Sequence, residues 1–211
     1  MKTDDLISLL AEDHKSGPSL GQILWGALAA GVIVSALVLL LTVGIRQNME
    51  AFLPTARVLF KIGYTIVLSA AAVFIVFAVG RPGVPLKGRL LALVPPLLLV
   101  AGGAALEMQA TPESSWATRA IGEHPLFCIA FIPVLAIAPL GAFLYALKQG
   151  APENPARAGM LAGLAAGAIA AAVYAWHCPD DSPFFVAIWY TIGMGIVALV
   201  GTLIGARVLR W

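Results

Sequence analysis

Ala175-Trp176-His177-Cys178-Pro179-Asp180-Asp181-Ser182-Pro183 lies between two apolar runs, residues 159–176 and 184–206. A histidine, a thiol and two carboxylates between two such runs mark a place where the chain leaves a membrane and turns back. Crossing about 30 Å of hydrocarbon takes roughly 20 helical residues, because backbone groups in lipid must satisfy one another. Four further runs of that kind precede the stretch, at 22–45, 58–79, 90–106 and 125–147. The whole chain agrees: of 211 residues, 60% are hydrophobic and 11% charged, and the mean hydropathy is +0.92. That is too apolar for a soluble domain. The expected fold is all-α, a polytopic bundle of six transmembrane helices over 19–211, preceded by a short segment, 1–18.

Orientation follows from the basic residues, which accumulate in cytoplasmic segments near span ends. With the N-terminus inside, Lys2, Lys15, Arg81, Lys87, Arg89, Lys148, Arg157, Arg207 and Arg210 are cytoplasmic, and Arg46, Arg57, Lys61 and Arg119 are outside. Nine against four predicts both termini in the cytoplasm. The net charge of +2 is then mostly a topology signal and gives no reason to expect nucleic-acid binding. Residues 1–18 carry Lys2, Asp4, Asp5, Glu12, Asp13 and Lys15 without a cleavage site, so they do not read as a secretory signal.

Those residues have a pattern of their own. Thr3 can cap a helix with Asp4 and Asp5 in its first turn, and Leu6, Ile7, Leu9, Leu10 and Ala11 supply one apolar face before Ser16-Gly17-Pro18 breaks it. So short a helix is marginal in water and needs a surface to lie against. One reading is an interfacial helix on the lipid bilayer. Four acids against two lysines oppose it, since membrane-surface helices carry cations on their polar face. An acidic helix with a Leu/Ile stripe fits a groove on a protein partner better.

Inside the spans, Gly159, Gly163 and Gly167 repeat at four-residue spacing with Ala162, Ala166 and Ala170 beside them, a stripe for close helix packing. Pro95-Pro96, Pro133 and Pro139 predict kinks. No ionisable residue lies near the middle of any run, which argues against a transporter or proton pump. The inner loops at 80–89 and 148–158 read as tight turns, and the outer loop at 107–124 as a small polar cap. Arg57 and Lys61 share a helical face at the outer end of the second span. They either snorkel to water or meet Glu107, Glu123, Asp180 and Asp181 in a charge cluster at that level.

The only two cysteines, Cys128 and Cys178, both fall at the outer face, each near a histidine. In an oxidising compartment such a pair forms a disulfide or shares a metal. His124, Cys128, His177 and Cys178 could make a Cys₂His₂ site for Zn²⁺ or another thiophilic ion, though the spacing matches no zinc-finger pattern. Alternatively both thiols are structural. Enzymatic disulfide exchange is disfavoured, because there is no C-x-x-C pair and no spare cysteine.

Three blocks in combination carry a resemblance: Thr3-Asp4-Asp5-Leu6-Ile7 with Leu10-Ala11; Pro125-Leu126-Phe127-Cys128 through Ile132-Pro133 to Pro139-Leu140; and His177-Cys178-Pro179 through Ser182-Pro183 to Trp189-Tyr190. Over nearly its whole length the chain resembles the NrsF-like anti-sigma factors, six-span proteins of the bacterial inner membrane. The resemblance implies that the cytoplasmic N-terminal segment binds an extracytoplasmic-function sigma factor. It also implies that Cys128 and Cys178 perceive a metal or oxidative signal on the periplasmic side. A membrane enzyme would need a buried acid, base or metal away from the two thiols, and the sequence offers none, so no enzyme is expected.

Overall fold

Six helices of the computed structural model, which describes residues 17–210, are long and apolar enough to cross a membrane. They are α1 Leu20–Thr42, α2 Ala56–Val79, α3 Lys87–Ala110, α4 Pro125–Lys148, α5 Pro155–Tyr174 and α6 Pro183–Val208. The proposed partner-binding residues Thr3, Asp4, Asp5, Leu6, Ile7, Leu9 and Leu10 lie outside the described residues. The chain runs up and down, so Thr42, Ala56, Ala110, Pro125, Tyr174 and Pro183 gather at one end of the bundle, termed here the site end.

Local chemistry sets the helix ends. α1 begins before the apolar run because Ser19 and Gln22 form a reciprocal capping box. The Gln22 N–H donates to Ser19 Oγ at 3.4 Å and the Ser19 N–H to Gln22 Oε1 at 2.8 Å. It stops at Thr42 because Gly44 adopts φ +70°, which lets the N–H groups of Val43 and Gly44 both close on the Leu39 carbonyl. In α3 the expected proline kink is a restart. A 3-10 turn at Leu91–Leu93 precedes a new helix, Val94–Ala110, with both prolines in its first turn, where an N–H would have no helical partner anyway. The loop between α3 and α4 is partly helical, with a short helix at Trp116–Ile121. In α6 a π-helical stretch, Val186–Tyr190, sits between Pro183–Phe185 and Thr191–Val208.

α5 is the central helix, the most buried of the six, and α3 the least. It packs on α2, α4 and α6. The small-residue stripe works within this one chain, since a Cβ on Gly159 would strike the Gly201 carbonyl of α6 and lie 2.8 Å from Gly205 Cα. Backbone against backbone leaves nothing that can move aside, and dispersion over this close approach holds the two helices together. α1 docks on α4 at a proline. Pro139 has no N–H to offer the Leu135 carbonyl, and Ser35 Oγ of α1 donates to that carbonyl at 2.7 Å instead. Gly31, one turn away, makes room for the ring, since a Cβ there would meet Pro139 Cβ at 2.7 Å.

Candidate functional site

Cys128 occupies the first turn of α4, and Cys178 follows the end of α5, where its N–H donates to the Tyr174 carbonyl at 3.1 Å. That last turn folds the Cys178 side chain inward. The two sulfurs lie 3.9 Å apart, both residues essentially without solvent exposure, and both are free thiols. The Cys128 thiol donates to the Tyr174 hydroxyl at 3.3 Å. Phe127, Phe131, Tyr174 and Tyr190 form an aromatic cluster next to the sulfurs. Among the described residues the buried Tyr190 and Ser182 hydroxyls have no hydrogen-bond partner.

The segment carrying Cys178 is tied down by charge. Lys61, buried to 1% exposure on α2, donates from Nζ to the Cys178 carbonyl at 2.7 Å and the Asp180 carbonyl at 3.3 Å, and pairs with Asp181 Oδ1 at 2.5 Å. Asp181 Oδ2 meets Arg46 Nη1 at 2.7 Å. A buried ammonium is tolerated because three oxygens replace its hydration; removing one partner of such a pair costs about 3–5 kcal/mol. Two more bonds join residues 176–178 to the end of α1: the Arg46 N–H donates to the Trp176 carbonyl at 3.0 Å, and His177 Nδ1 lies 3.0 Å from the Gly44 carbonyl.

A second ion cluster closes α2 against α3. Glu107, 5% exposed, is paired with Arg57 and with Arg119, each at 3.1 Å. Asp180 accepts the N–H groups of Glu123 and His124 at 3.0 and 3.3 Å. The carboxylate thereby faces the positive end of α4, one turn from Cys128. A cavity of about 870 Å³, lined by Arg57, Glu107, Arg119, Asp180 and Asp181 among others, separates these clusters.

Arg57 and Lys61 thus both meet acids, Lys61 buried and Arg57 still exposed to water. Of the expected charge cluster, Glu123 contributes only its backbone among these contacts. Arg46 and Arg119 belong to the site and were read from the sequence only as topology markers. The four cations expected at that level, set against Glu107, Glu123, Asp180 and Asp181, are the available signal. The histidines do not join the thiols: His124 is exposed at the start of α4 and His177 is turned to Gly44. Among the described residues no three His, Cys, Asp or Glu side chains are grouped to hold a metal ion. A tetrahedral Zn²⁺, which needs four donors, does not fit this arrangement.

The electrostatics distinguish the two sulfurs. The Cys178 thiol is held below the ordinary thiol range, first by its hydrogen bond with Cys128 and then by the Lys61 ammonium, against the opposing effect of burial. Two thiols in contact, one of them with its pKa lowered, make the arrangement that dithiol oxidation needs, one sulfur the more nucleophilic and the other ready to resolve.

Comparisons with known proteins bear on the same architecture. The family described as "Negative regulator of sigma F", NrsF, matches residues 10–211. The chain is 34% identical to the probable anti-sigma-F factor NrsF of Azospira oryzae, over all of both chains. It is 31% identical to the anti-sigma-F factor NrsF of Caulobacter vibrioides, again over all of both. No solved structure matches the chain. On a match that spans the six helices and both cysteines, the chain belongs to the NrsF family of anti-sigma factors, a regulatory rather than a catalytic class.

Proposed function

We propose that this protein holds an extracytoplasmic-function sigma factor at the cytoplasmic face of the bacterial inner membrane through residues 1–18, and releases it when Cys128 and Cys178 react on the periplasmic side. The observation that carries the reading is the pair of buried free thiols 3.9 Å apart on two separate elements. A disulfide is about 2.05 Å long, so the sulfurs must close by about 2 Å. With a peroxide-class oxidant, one thiolate attacks an oxygen, the O–O bond breaks, and a sulfenic acid and water form. The second thiol then displaces the sulfenic oxygen as water, leaving the S–S bond. Two electrons and two protons leave the pair.

Closing the sulfurs draws on the Cys178 segment, and the bonds from that segment to Gly44 and Arg46 give a route to α1, whose opposite end continues into residues 1–18. A shift from 1:99 to 99:1 needs about 5.5 kcal/mol of differential free energy. Disulfide formation must therefore favour the released arrangement by that amount, and a smaller preference gives partial release.

The test is capture of the sigma factor by full-length protein in nanodiscs, with and without oxidant. Wild type is expected to retain it when reduced and to lose at least about tenfold in affinity when oxidised, corresponding to about 1.4 kcal/mol. Cys128→Ser and Cys178→Ser are expected to retain it in both conditions. Unchanged capture by oxidised wild type, with the disulfide verified by intact mass, would refute the thiol mechanism. Undiminished capture by a 1–18 deletion would refute the binding assignment.

A further inference from the structure

The opposite end of the bundle carries a feature that thiol sensing leaves unused. A cavity of about 380 Å³ opens between the loops at 80–87 and 149–154, with Arg81, Lys87 and Arg157 on its wall and Leu86 and Val84 beside them. All three cations are exposed, and none is in an ion pair among the described residues. The single acid on the wall, Glu153, already accepts the Gly83 N–H at 3.1 Å. The walls are fixed to each other, because the Ala151 N–H donates to the Gly80 carbonyl at 3.3 Å.

The chain enters the bundle at this cavity. Leu20 packs on both loops: Cβ atoms built on Gly80 and Gly150 would meet its Cδ2 at 3.1 and 3.2 Å. The Arg81 guanidinium lies against the first turn of α1, 3.6 Å from where a Cβ on Gly21 would be. Just upstream, residues 1–16 hold Asp4, Asp5, Glu12 and Asp13 against Lys2 and Lys15. Asp13 precedes Ser19 by six residues, a reach of at most about 20 Å fully extended. Glu12 and Asp13 are therefore within reach of a cluster of opposite sign at the foot of their own helix.

We propose that residues 1–16 have an intramolecular dock, in which Glu12 and Asp13 pair with Arg81, Lys87 and Arg157, and that this dock competes with the sigma factor for the same segment. The proposal rests on the assignment of sigma binding to residues 1–18. It gives a released segment somewhere to go, so that the unbound state is stabilised as well as the bound state weakened. Exposed pairs are weak and screened by salt, which suits a contact that must yield to a partner.

The experiment is hydrogen–deuterium exchange of residues 1–16 in full-length protein in nanodiscs of zwitterionic lipid, without sigma factor. Wild type is expected to show protection that fades at high salt. Arg81→Glu with Arg157→Glu is expected to lose it, and adding Glu12→Lys with Asp13→Lys to restore it. Arg81→Gln with Arg157→Gln, with a melting curve matching wild type, guards against misfolding. If the proposal holds, that variant binds the sigma factor about three- to tenfold more tightly than wild type, the range expected of one or two exposed ion pairs. Protection absent from wild type, or unchanged by charge reversal, overturns the dock. So does protection that appears only with anionic lipid, since the cations would then hold a lipid headgroup. If protection follows the charges but a 1–18 deletion still captures the sigma factor at full affinity, the dock stands and the binding assignment fails.

Discussion

Lys61 and Cys178 are chemically coupled although their side chains have different jobs. The ammonium fastens the Cys178 carbonyl and Asp181, and its charge helps to pull the thiol below the ordinary thiol range. The sign is that of any depressed acid: thiolate persists above the lowered pKa and is lost as pH falls through it. Alkylation of Cys178 in the Cys128→Ala variant is the wrong probe, because the Cys128 hydrogen bond is the larger contribution. In otherwise wild-type protein, Cys178 alkylation is expected to rise with pH at lower pH than for an ordinary thiol. Lys61→Met should move that profile to higher pH. A profile unmoved by Lys61→Met, read by peptide mass mapping, would assign the depression to Cys128 alone.

Two helix pairs show how element packing replaces the missing hydrophobic drive in lipid. Between α5 and α6 the contact is backbone on backbone at Gly159, Gly201 and Gly205. Between α1 and α4 it is a serine hydroxyl filling the acceptor that Pro139 leaves open. The first has no room for side chains, and the second loses one hydrogen bond when cut. Gly159→Val is therefore expected to lower the detergent melting temperature far more than Ser35→Ala, whose interhelical bond is worth about 0.6–1.7 kcal/mol. Equal effects of the two substitutions on thermal melts would mean that the glycine contact is looser than the structure has it. The π-helical stretch ending at Tyr190 places that residue in the aromatic cluster beside the thiols, an element-scale distortion at the site.

At the scale of the whole molecule, the site end and the cationic cavity lie at opposite ends of one six-helix bundle, joined by α1 and α2. Sensing outside and binding inside require that the cysteine end face the periplasm, as the distribution of basic residues predicts. Reporter fusions test this: a cytoplasm-active reporter is expected to work at residues 1 and 211, and a periplasm-active one within 112–118. The reverse pattern would place the thiols in the reducing compartment and remove the basis for an oxidative signal.

The sequence alone determined the class of this protein. Six apolar runs and their punctuation depend only on hydropathy and chain length, which lipid reads residue by residue, and the assignment to spans of the Gly/Ala stripe and the prolines followed from local period. It also placed two thiols and several charges at one level. Tertiary structure decided who meets whom at that level. That the sulfurs face each other while the histidines turn away depends on the last turn of α5 and on where α1 ends. That Asp181 binds Lys61 and Arg46, and Glu107 binds Arg57 and Arg119, depends on the azimuth of helices far apart in sequence. Hydropathy fixes how deep a residue sits in a membrane. Rotation about the helix axis is fixed by packing, here by glycine on glycine and serine on a proline's orphan carbonyl, and only the folded bundle holds that information.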